Sequence, residues 1–525
     1  MESRRARDAV VVGAGHNGLV AAAYLAKRGL DVLVLERRDV VGGAAVTEEL
    51  LPGWRVSTAA YSLSLLRPDV FHDLGLAAHG LSFRPKDPQL FVPLPDGRHF
   101  FVWRDPGRTA EELGRIHRGD ADAYRRWGAF WDDAVGLLRP LVEAHDPPPL
   151  AGVEARLRRR GRDDVWRLAV AGSAAGTVEA FFASDEVRGA FASQGVIGTA
   201  AGPRAPGTAW VMAYHALGGE LNGAAGTWAY VHGGMGSVTR ALAAAARAGG
   251  AEIRTGAPVA TILVDGGRAR GVELEDGTTI EAGIVLSNAD PVRTFRGLLP
   301  PHGAEAIEAA DPVFAARVGT WAVPGSVVKV NLALAELPDY AALPGTTAGP
   351  QHLGTLELSP SVGHLETAFA QAQAGRYPDA PFMEVFVQSA GDPSLAPPGG
   401  HVLSAFTQWA PAVRPGAWAS LRQGALDTVL ATLAAYAPNI PGAVLASEVL
   451  GPEDLEARFG LTGGNIFHGE LLPQQCFGDR FGYRTPLDGL YLCGSGARPG
   501  GCVMGAPGRN AAAAVLADLA AGARG

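Results

Sequence analysis

The residues with the clearest chemical meaning are three glycines and one acid near the start of the chain. Gly13, Gly15 and Gly18 fill a GxGxxG pattern, and Glu36 follows 18 residues after the last of them. Glycines at this spacing allow a tight turn, let the backbone approach a pyrophosphate and let a helix pack closely on a strand. A carboxylate at this distance can accept hydrogen bonds from ribose hydroxyls. The pattern predicts a dinucleotide site that disfavours NADP and leaves NAD and FAD open.

The flanking sequence supplies the elements that such a site requires. The β-branched residues 10–12 predict a buried parallel strand, and a helix is expected from about residue 17 to residue 28. The free N–H groups and positive dipole end of this helix would face the phosphates. Gly29 ends the helix, and a second strand over residues 31–35 leads into Glu36. Because strand, helix and acid occur in this order, a chance glycine turn is a poor explanation.

A second glycine pair follows the acid in the pattern ExxxxxGG. This extended motif resembles the start of the FAD-binding amine oxidase and phytoene desaturase superfamily, in which the pair lies close to the pyrophosphate and flavin. The resemblance implies FAD as the cofactor. It implies FAD contacts along this stretch at Gly13, Gly15, His16, Asn17, Gly18, Glu36, Arg37, Gly42, Gly43 and Ala44. The family often has arginine after the pair, so Ala44 predicts that positive charge near the phosphates is missing or comes from elsewhere.

The C-terminal segment is a second strong signal. GLYLCGSGARPGGCVMGAPGRNAA predicts a strand, a glycine-rich turn and a helix, whose first N–H groups, near residues 506–509, can stabilise negative charge. The segment resembles the end of bacterial phytoene desaturases and desaturase-type carotene ketolases, which implies further FAD contacts at Gly494, Gly496 and Gly505. Cys502 stands where the family usually has the third glycine of PGGG. A small filler side chain is the favoured interpretation of Cys502; a redox role or a covalent flavin link is the alternative.

The resemblance extends over essentially the whole chain, through stretches such as VKVNLALAELPDY and FGLTGGNIFHGELLPQQCF. It implies an α/β fold in which a Rossmann-type FAD-binding lobe is interleaved with an α+β substrate lobe. We expect the FAD-binding lobe to comprise residues 1–80, 225–295 and 480–525, and the substrate lobe residues 81–224 and 296–479. Val259 fits the strand position whose backbone lies near the adenine; a plain core residue is the alternative.

Local patterns predict the remaining elements. Residues 81–105 alternate like strands around a PDG turn, residues 107–195 have helical patterns, and residues 251–290 contain four short strands with GG and DG turns. Further strands are expected around VVKVNLAL, MEVFVQSA and HVLSAFTQ, and a helix over residues 423–436.

Two residues are the catalytic candidates. Lys329 lies in GSVVKVNL, similar to a strand of flavin amine oxidases whose lysine holds a water near the flavin; a solvent-facing lysine on an edge strand is the alternative. His468 lies in a loop that the resemblance places on the substrate side of the flavin, where it could act as a base or hold a polar group. A structural histidine is the alternative there. Tyr214 and His215 are weaker candidates of the same kind.

Composition excludes several classes of protein. A chain of 525 residues is long enough for two large lobes. A net charge of −8 does not indicate nucleic-acid binding. Three scattered cysteines form neither a disulfide framework nor a metal motif, and no CxxC pair predicts a redox disulfide. MESRRARD is excluded as an export signal because the apolar segment after it is the phosphate-binding unit. The expected location is therefore cytoplasmic, with peripheral membrane contact possible.

These features together predict an FAD-dependent oxidoreductase that removes a hydride equivalent from a largely apolar organic substrate. Electrons would pass to oxygen, a quinone or another acceptor. Because the sequence contains no second GxGxxG unit with its own acid, we do not expect a separate NAD domain. One alternative is ketolase-type oxygenation of a carotenoid. Another is a flavoprotein that acts through protein partners, with little catalysis.

Overall fold

The computed structural model describes residues 6–522. Residues 1–5 and 523–525 lie outside the described residues, and with them most of MESRRARD and both outer ends of the expected FAD-binding lobe. The strands are β1 (Arg7–Val12), β2 (Val32–Leu35), β3 (Thr47–Leu51), β4 (Trp54–Ser57), β5 (Phe83–Pro85), β6 (Leu90–Pro93), β7 (His99–Val102), β8 (Ala229–Val231), β9 (Glu252–Arg254), β10 (Val259–Asp265), β11 (Arg268–Leu274), β12 (Thr279–Ser287), β13 (Val327–Leu334), β14 (Thr355–Leu358), β15 (Phe382–Val387), β16 (His401–Gln408), β17 (Val444–Leu450) and β18 (Leu490–Leu492).

The helices vary from single turns to more than twenty residues. They are α1 (His16–Ala26), α2 (Pro68–Asp73), α3 (Pro106–Ile116), α4 (Asp120–Val142), α5 (Leu150–Arg159), α6 (Asp163–Val165), α7 (Ala174–Glu179), α8 (Asp185–Ala192), α9 (Thr208–Ala216), α10 (Gly236–Ala248), α11 (Pro301–Ala310), α12 (Pro312–Thr320), α13 (Pro350–Leu353), α14 (Val362–Gln373), α15 (Gln388–Gly391), α16 (Trp418–Tyr436), α17 (Ile440–Ala443), α18 (Pro452–Phe459) and α19 (Ala506–Gly522). No helix among residues 6–522 is long and apolar enough to cross a membrane.

The first sheet gathers strands from both ends and the middle of the chain. Its parallel part runs β18–β12–β1–β2–β9, and β11 and β10 extend the first half of β12 as antiparallel neighbours. Helices α10 and α19 both pack on α1 beside it. Because β1 is covered on both faces, its residues 9–12 are all buried, as expected for a central parallel strand.

The second sheet has the order β17–β13–β16–β15–β14–β6–β7. Its neighbours are antiparallel except for the parallel pair β14–β6. A buried apolar cluster joins this sheet to the helices between α4 and α9, through residues such as Val327 and Phe406. The expected fold class, a Rossmann-type α/β unit combined with an α+β unit, is confirmed.

Most expected elements are present with small shifts at their ends. The four strands of residues 251–290 are β9 to β12, and α1 ends at Ala26, before Gly29 takes a φ of +87°. Strand β17 is not among the strands predicted from the sequence; it lies at the edge of the second sheet, and its first four residues alternate between partly buried and exposed. Its sequence, VLASEVL, does not alternate between apolar and polar residues, so the usual strand pattern is absent.

Candidate functional site

A continuous cavity of about 310 Å³ connects the glycine motif with the two catalytic candidates. Gly15 and Glu36 line one part of its wall, and Lys329 and His468 line another. These residues come from the N-terminal unit, from the second sheet and from a loop near residue 468. The structure therefore brings together groups that are more than 400 residues apart in the chain.

The turn between β1 and α1 is too tight for side chains. A Cβ at Gly18 would lie 2.2 Å from the carbonyl oxygen of Gly13, and one at Gly15 would lie 2.7 Å from Nδ2 of Asn288. Gly13 itself has a φ of +97°. The first turn of α1 begins at an N-cap, Gly15, that makes no side-chain capping bond. The arrangement leaves a backbone surface that can face a phosphate.

Glu36 is held in place by backbone donors at the end of β2. Its Oε2 accepts from the N–H of Ala14 at 2.8 Å, and its Oε1 accepts from the N–H of Arg38 at 3.0 Å. The side chain is only 6% exposed and lines the cavity. Each carboxylate oxygen keeps a lone pair for a ligand hydroxyl.

The second glycine pair lies against the first turn. The N–H of Gly42 donates to the carbonyl of Ala14 at 2.9 Å, and a Cβ at Gly43 would lie 3.4 Å from Cα of Gly15. Gly42 and Gly43 take φ values of +129° and +55°. Both glycines and the following Ala44 line the cavity.

Two arginines carry positive charge at the cavity wall, where Ala44 carries none. Arg37 and Arg293 both line the cavity and approach the same backbone position, Gly460, to within 3.7 Å of a Cβ placed there. Burial and the charge of Arg293 lower the pKa of Arg37. Sequence reasoning included Arg37 but missed Arg293, because nothing near it in the chain marks it as part of this site.

Several buried polar atoms around the cavity have no partner within the described protein. They include Nε2 of His16, Oδ1 of Asn17 and Nδ1 of His468. Burial, together with His468, lowers the pKa of His16 to about 4, so its imidazole is neutral at pH 7. A flat, polar ligand bound against the glycine turn would supply hydrogen-bond partners for these buried atoms. The residues present fit a dinucleotide.

The C-terminal segment closes the cavity through residues between the predicted glycines. Ser495, Cys502 and Val503 line the wall, and Ser495 accepts a hydrogen bond from Asn17 Nδ2 at 3.1 Å. The predicted glycines pack against neighbouring backbone and side chains instead. A Cβ would lie 2.5 Å from the Asn288 oxygen at Gly494, 2.3 Å from Pro291 at Gly496 and 3.1 Å from Val70 at Gly505. Their contact with a cofactor stays a prediction, as does that of Val259, which lines the cavity.

Cys502 occupies a backbone position that favours glycine. Its φ is +70°, in the left-handed region. Burial raises the pKa of its thiol to about 12, so the group is protonated and a poor nucleophile at pH 7. All three cysteines of the chain are free.

Lys329 is buried on an interior strand. Strand β13 pairs with β16 on one side and β17 on the other, and Lys329 is 2% exposed. The alternative of a solvent-facing lysine on an edge strand is therefore wrong. Its Nζ donates to Oδ1 of Asn331 at 2.7 Å and lies 5.2 Å from the ring centre of Tyr61. Burial lowers the pKa of Lys329 to about 7.

His468 lies in a constrained loop that also lines the cavity. Its φ is +58°, and its backbone oxygen accepts from the indole N–H of Trp321 at 3.0 Å. Asn465 fixes the loop by accepting from the N–H groups of Phe467 and Gly469, each at 3.0 Å. Burial lowers the pKa of His468, which leaves a neutral ring at pH 7.

The wall beyond Lys329 is mostly apolar. It is formed by Leu65, Ile197, Trp228, Val327, Phe406, Ile466 and Phe467. His215 lines this part, whereas Tyr214 donates to the carbonyl of Gly501 at 3.1 Å and lies outside the lining. Sequence reasoning missed Tyr61, which lines the cavity through a loop without a recognisable motif.

Comparisons with known proteins agree with this geometry. The family model described as flavin containing amine oxidoreductase matches residues 18–516. The chain is 39% identical to mouse pyridine nucleotide-disulfide oxidoreductase domain-containing protein 2, over 98% of this chain and 94% of the relative. It is 29% identical to hydroxyneurosporene desaturase of Cereibacter sphaeroides, over 98% of each. The structure of cyclohexylamine oxidase from Brevibacterium oxydans shares the fold, with a TM-score of 0.60, 18% identity and coverage of 98% of this chain and 100% of that one.

Proposed function

Because the chain belongs to the flavin-containing amine oxidoreductase family, we propose that it removes a hydride equivalent from a largely apolar organic substrate and leaves a C=C bond or related unsaturation. The protein is an FAD-dependent oxidoreductase. The observation that carries the substrate proposal is the continuity of the cavity, which passes from the dinucleotide motif into an apolar wall. An apolar wall binds an apolar substrate by removing both surfaces from water.

FAD would be held mainly by backbone and by three charged side chains. The turn at Gly13 and Gly15 and the N-terminus of α1 would take the pyrophosphate, and Glu36 would accept from the adenosine ribose. Arg37 and Arg293 would neutralise phosphate charge in place of the family's arginine. FAD supplies the two-electron acceptor that no protein side chain provides.

The proposed catalytic residues would control protons in the cavity. Lys329 has one hydrogen-bond partner, Asn331, so its remaining N–H groups can hold a water or a substrate atom. An amine with a pKa of about 7 is present in both protonation states at neutral pH, so it can release or accept a proton there. His468, as a neutral imidazole with an unpaired Nδ1, can hold a polar group on the substrate side.

We also propose that the chain is divided into the two lobes that its sequence predicts. The FAD-binding lobe would comprise residues 1–80, 225–295 and 480–525, and the substrate lobe residues 81–224 and 296–479. The membership of β1, β2, β9–β12 and β18 in one sheet and of β6, β7 and β13–β17 in the other supports this division. We place the protein in the cytoplasm, where three free thiols stay reduced. Oxygen, a quinone or another acceptor would take the electrons.

Anaerobic reduction of the bound flavin tests the proposal. The purified protein should show oxidised-flavin absorption, and hydroxyneurosporene should bleach it faster than cyclohexylamine, the comparison compound. Bleaching by the amine with none by the polyene would contradict the desaturase proposal and favour amine oxidation. Failure of both, with FAD tightly bound, would favour a partner-binding flavoprotein. An oxygenated carotenoid product would identify the ketolase alternative.

A further inference from the structure

At the apolar end of the cavity, the hydroxyl of Tyr61 donates its hydrogen bond in one fixed direction. It donates to Oε2 of Glu384 at 2.6 Å, while Oε1 of Glu384 accepts from Nε2 of Gln194 at 2.9 Å. Glu357 lies directly opposite Glu384 on β14, and burial and Glu384 hold the pKa of Glu357 well above its ordinary value. Burial and Glu384 also raise the pKa of Tyr61, so its single proton stays in the bond to Glu384. A cavity ligand therefore meets Tyr61 as a hydrogen-bond acceptor.

His215 also presents a hydrogen-bond acceptor to the cavity, for a different reason. Its Nδ1 lies 3.2 Å from the backbone oxygen of Gln194, and because a carbonyl can only accept, Nδ1 carries the proton. Burial lowers the pKa of His215 to about 4, so the ring is neutral at pH 7. Its other nitrogen, Nε2, is then an acceptor. Gln194 contacts both His215 and the partner of Tyr61: its backbone oxygen orients His215, and its side chain donates to Glu384.

Two serines of the same wall are also oriented as acceptors. Ser64 donates to the carbonyl of Thr227 at 3.1 Å, and Ser62 donates to the carbonyl of Ala229 at 3.3 Å. Each hydroxyl has one proton, which these bonds use, so its lone pairs remain for a ligand. Tyr61, Ser62, Ser64 and His215 all line the cavity; we refer to them as the acceptor patch.

We propose that the acceptor patch selects a substrate whose apolar body carries a hydrogen-bond donor, either a hydroxyl or an amino group. This inference rests on the proposed function, because it takes the apolar end of the cavity as the substrate site. A carboxylate or an ether directed at these four groups would meet only their lone pairs, and burying a polar group without a partner is costly. Lys329, whose Nζ lies 5.2 Å from the centre of the Tyr61 ring, is the donor to which the proposed function gives proton control.

Calorimetric titration of the flavin-loaded protein with matched ten-carbon probes tests the inference. Decan-1-ol and decylamine provide a donor, whereas decyl methyl ether and decanoate do not. We expect a dissociation constant at least about tenfold lower for the alcohol or the amine than for the ether or decanoate. The alcohol and the amine arms separate the two sources of the donor. Equal affinity for all four probes, tighter binding of the ether or decanoate, or no binding of any probe would overturn the inference.

Substitutions test whether the acceptor patch causes the preference for donor probes. Tyr61→Phe and Ser64→Ala should each reduce the preference for the donor probes, and Ser64→Ala keeps the test valid if Tyr61→Phe unfolds. Tyr340→Phe is the matched control, because Tyr340 is buried, its hydroxyl has no partner within the described protein and it does not line the cavity. An unchanged preference in both patch variants would refute the assignment. Calorimetry requires no turnover, so failure of this inference is distinguishable from failure of flavin reduction by hydroxyneurosporene.

Discussion

At the scale of single residues, two buried lysines share an environment but differ in what they face. Lys329 and Lys86 are 2% and 1% exposed, and burial lowers the pKa of each to about 7. Lys329 lines the cavity, whereas Lys86 donates to Thr355 at 2.7 Å and lies over the ring of Phe386. Lys86 is therefore a control for the effect of removing a buried amine.

Lys329→Met should retain FAD but slow anaerobic flavin reduction by about 100-fold, because proton control at the cavity is lost. In the unmodified protein the rate should rise with pH around pH 7, since the neutral amine, which can accept a proton, forms above its pKa. Stopped-flow absorbance measures both effects. Lys86→Met should keep the rate and the pH midpoint. A midpoint near 7 that persists in Lys329→Met would show that another group titrates.

Cys502 permits a second prediction at this scale. Its left-handed backbone costs about 1 kcal/mol with any side chain, and Cys502→Gly removes that strain while adding freedom to the unfolded chain. We expect the free energy of unfolding to change by less than about 1 kcal/mol and flavin content to stay the same. Denaturation followed by filtration should release all flavin from both proteins. Flavin that stays attached to the unmodified protein alone would show a covalent link through Cys502.

At the scale of elements, the crossing of α1 and α19 joins the two ends of the chain. A Cβ at Gly508 would lie 2.1 Å from the backbone oxygen of Asn17, so the helices meet backbone to backbone. The same contact positions Asn17 next to Ser495 in the cavity wall. Close packing here links the helix that faces the phosphates to the segment that closes the site.

Gly508→Ala should therefore destabilise the protein by about 1–3 kcal/mol and weaken FAD retention, because α19 must move away from α1. Thermal unfolding and the flavin-to-protein absorbance ratio measure the two effects. Gly424→Ala, within α16, is the matched control because a Cβ there meets nothing within 4 Å, and it should be neutral or stabilising. Equal effects of the two substitutions would contradict the role of the crossing.

At the scale of the whole molecule, one cavity is lined by segments from distant parts of the sequence. Residues 12–16, 35–45, 288–298 and 495–503 all contribute to its wall. A ligand that touches all of them should stabilise them together. Cofactor binding is thus expected to couple regions that local sequence keeps separate.

Loading the apoprotein with FAD at 100 times its dissociation constant should raise the free energy of unfolding by about 2.7 kcal/mol. Hydrogen exchange should slow together in residues 12–16, 35–45 and 495–503. Helix α16 does not line the cavity and serves as the internal control. Protection limited to the N-terminal segments would mean that the C-terminal segment does not take part in binding.

The sequence by itself determined the nucleotide-binding unit. The GxGxxG turn, α1, β2 and Glu36 lie within about 30 consecutive residues, so local spacing fixes their geometry once the strand and helix form. The same reasoning found β9 to β12 and the C-terminal helix, because each carries its own apolar pattern and turn residues. The resemblance to FAD enzymes added the cofactor, which spacing alone had left open.

Only the tertiary structure decided which distant side chains share the cavity. Arg293, Tyr61 and Asn288 belong to no motif, and they reach the site because sheet pairing brings their segments to it. The choice between a surface and a buried Lys329 depended on β16 and β17 flanking β13, a pairing across more than 70 residues that no local pattern specifies. Hydrogen-bond polarity at Tyr61 and His215 likewise depends on partners from other elements. The sequence specifies the chemical type of each side chain. The direction of its hydrogen bonds and its protonation state depend on the neighbours that the fold places around it.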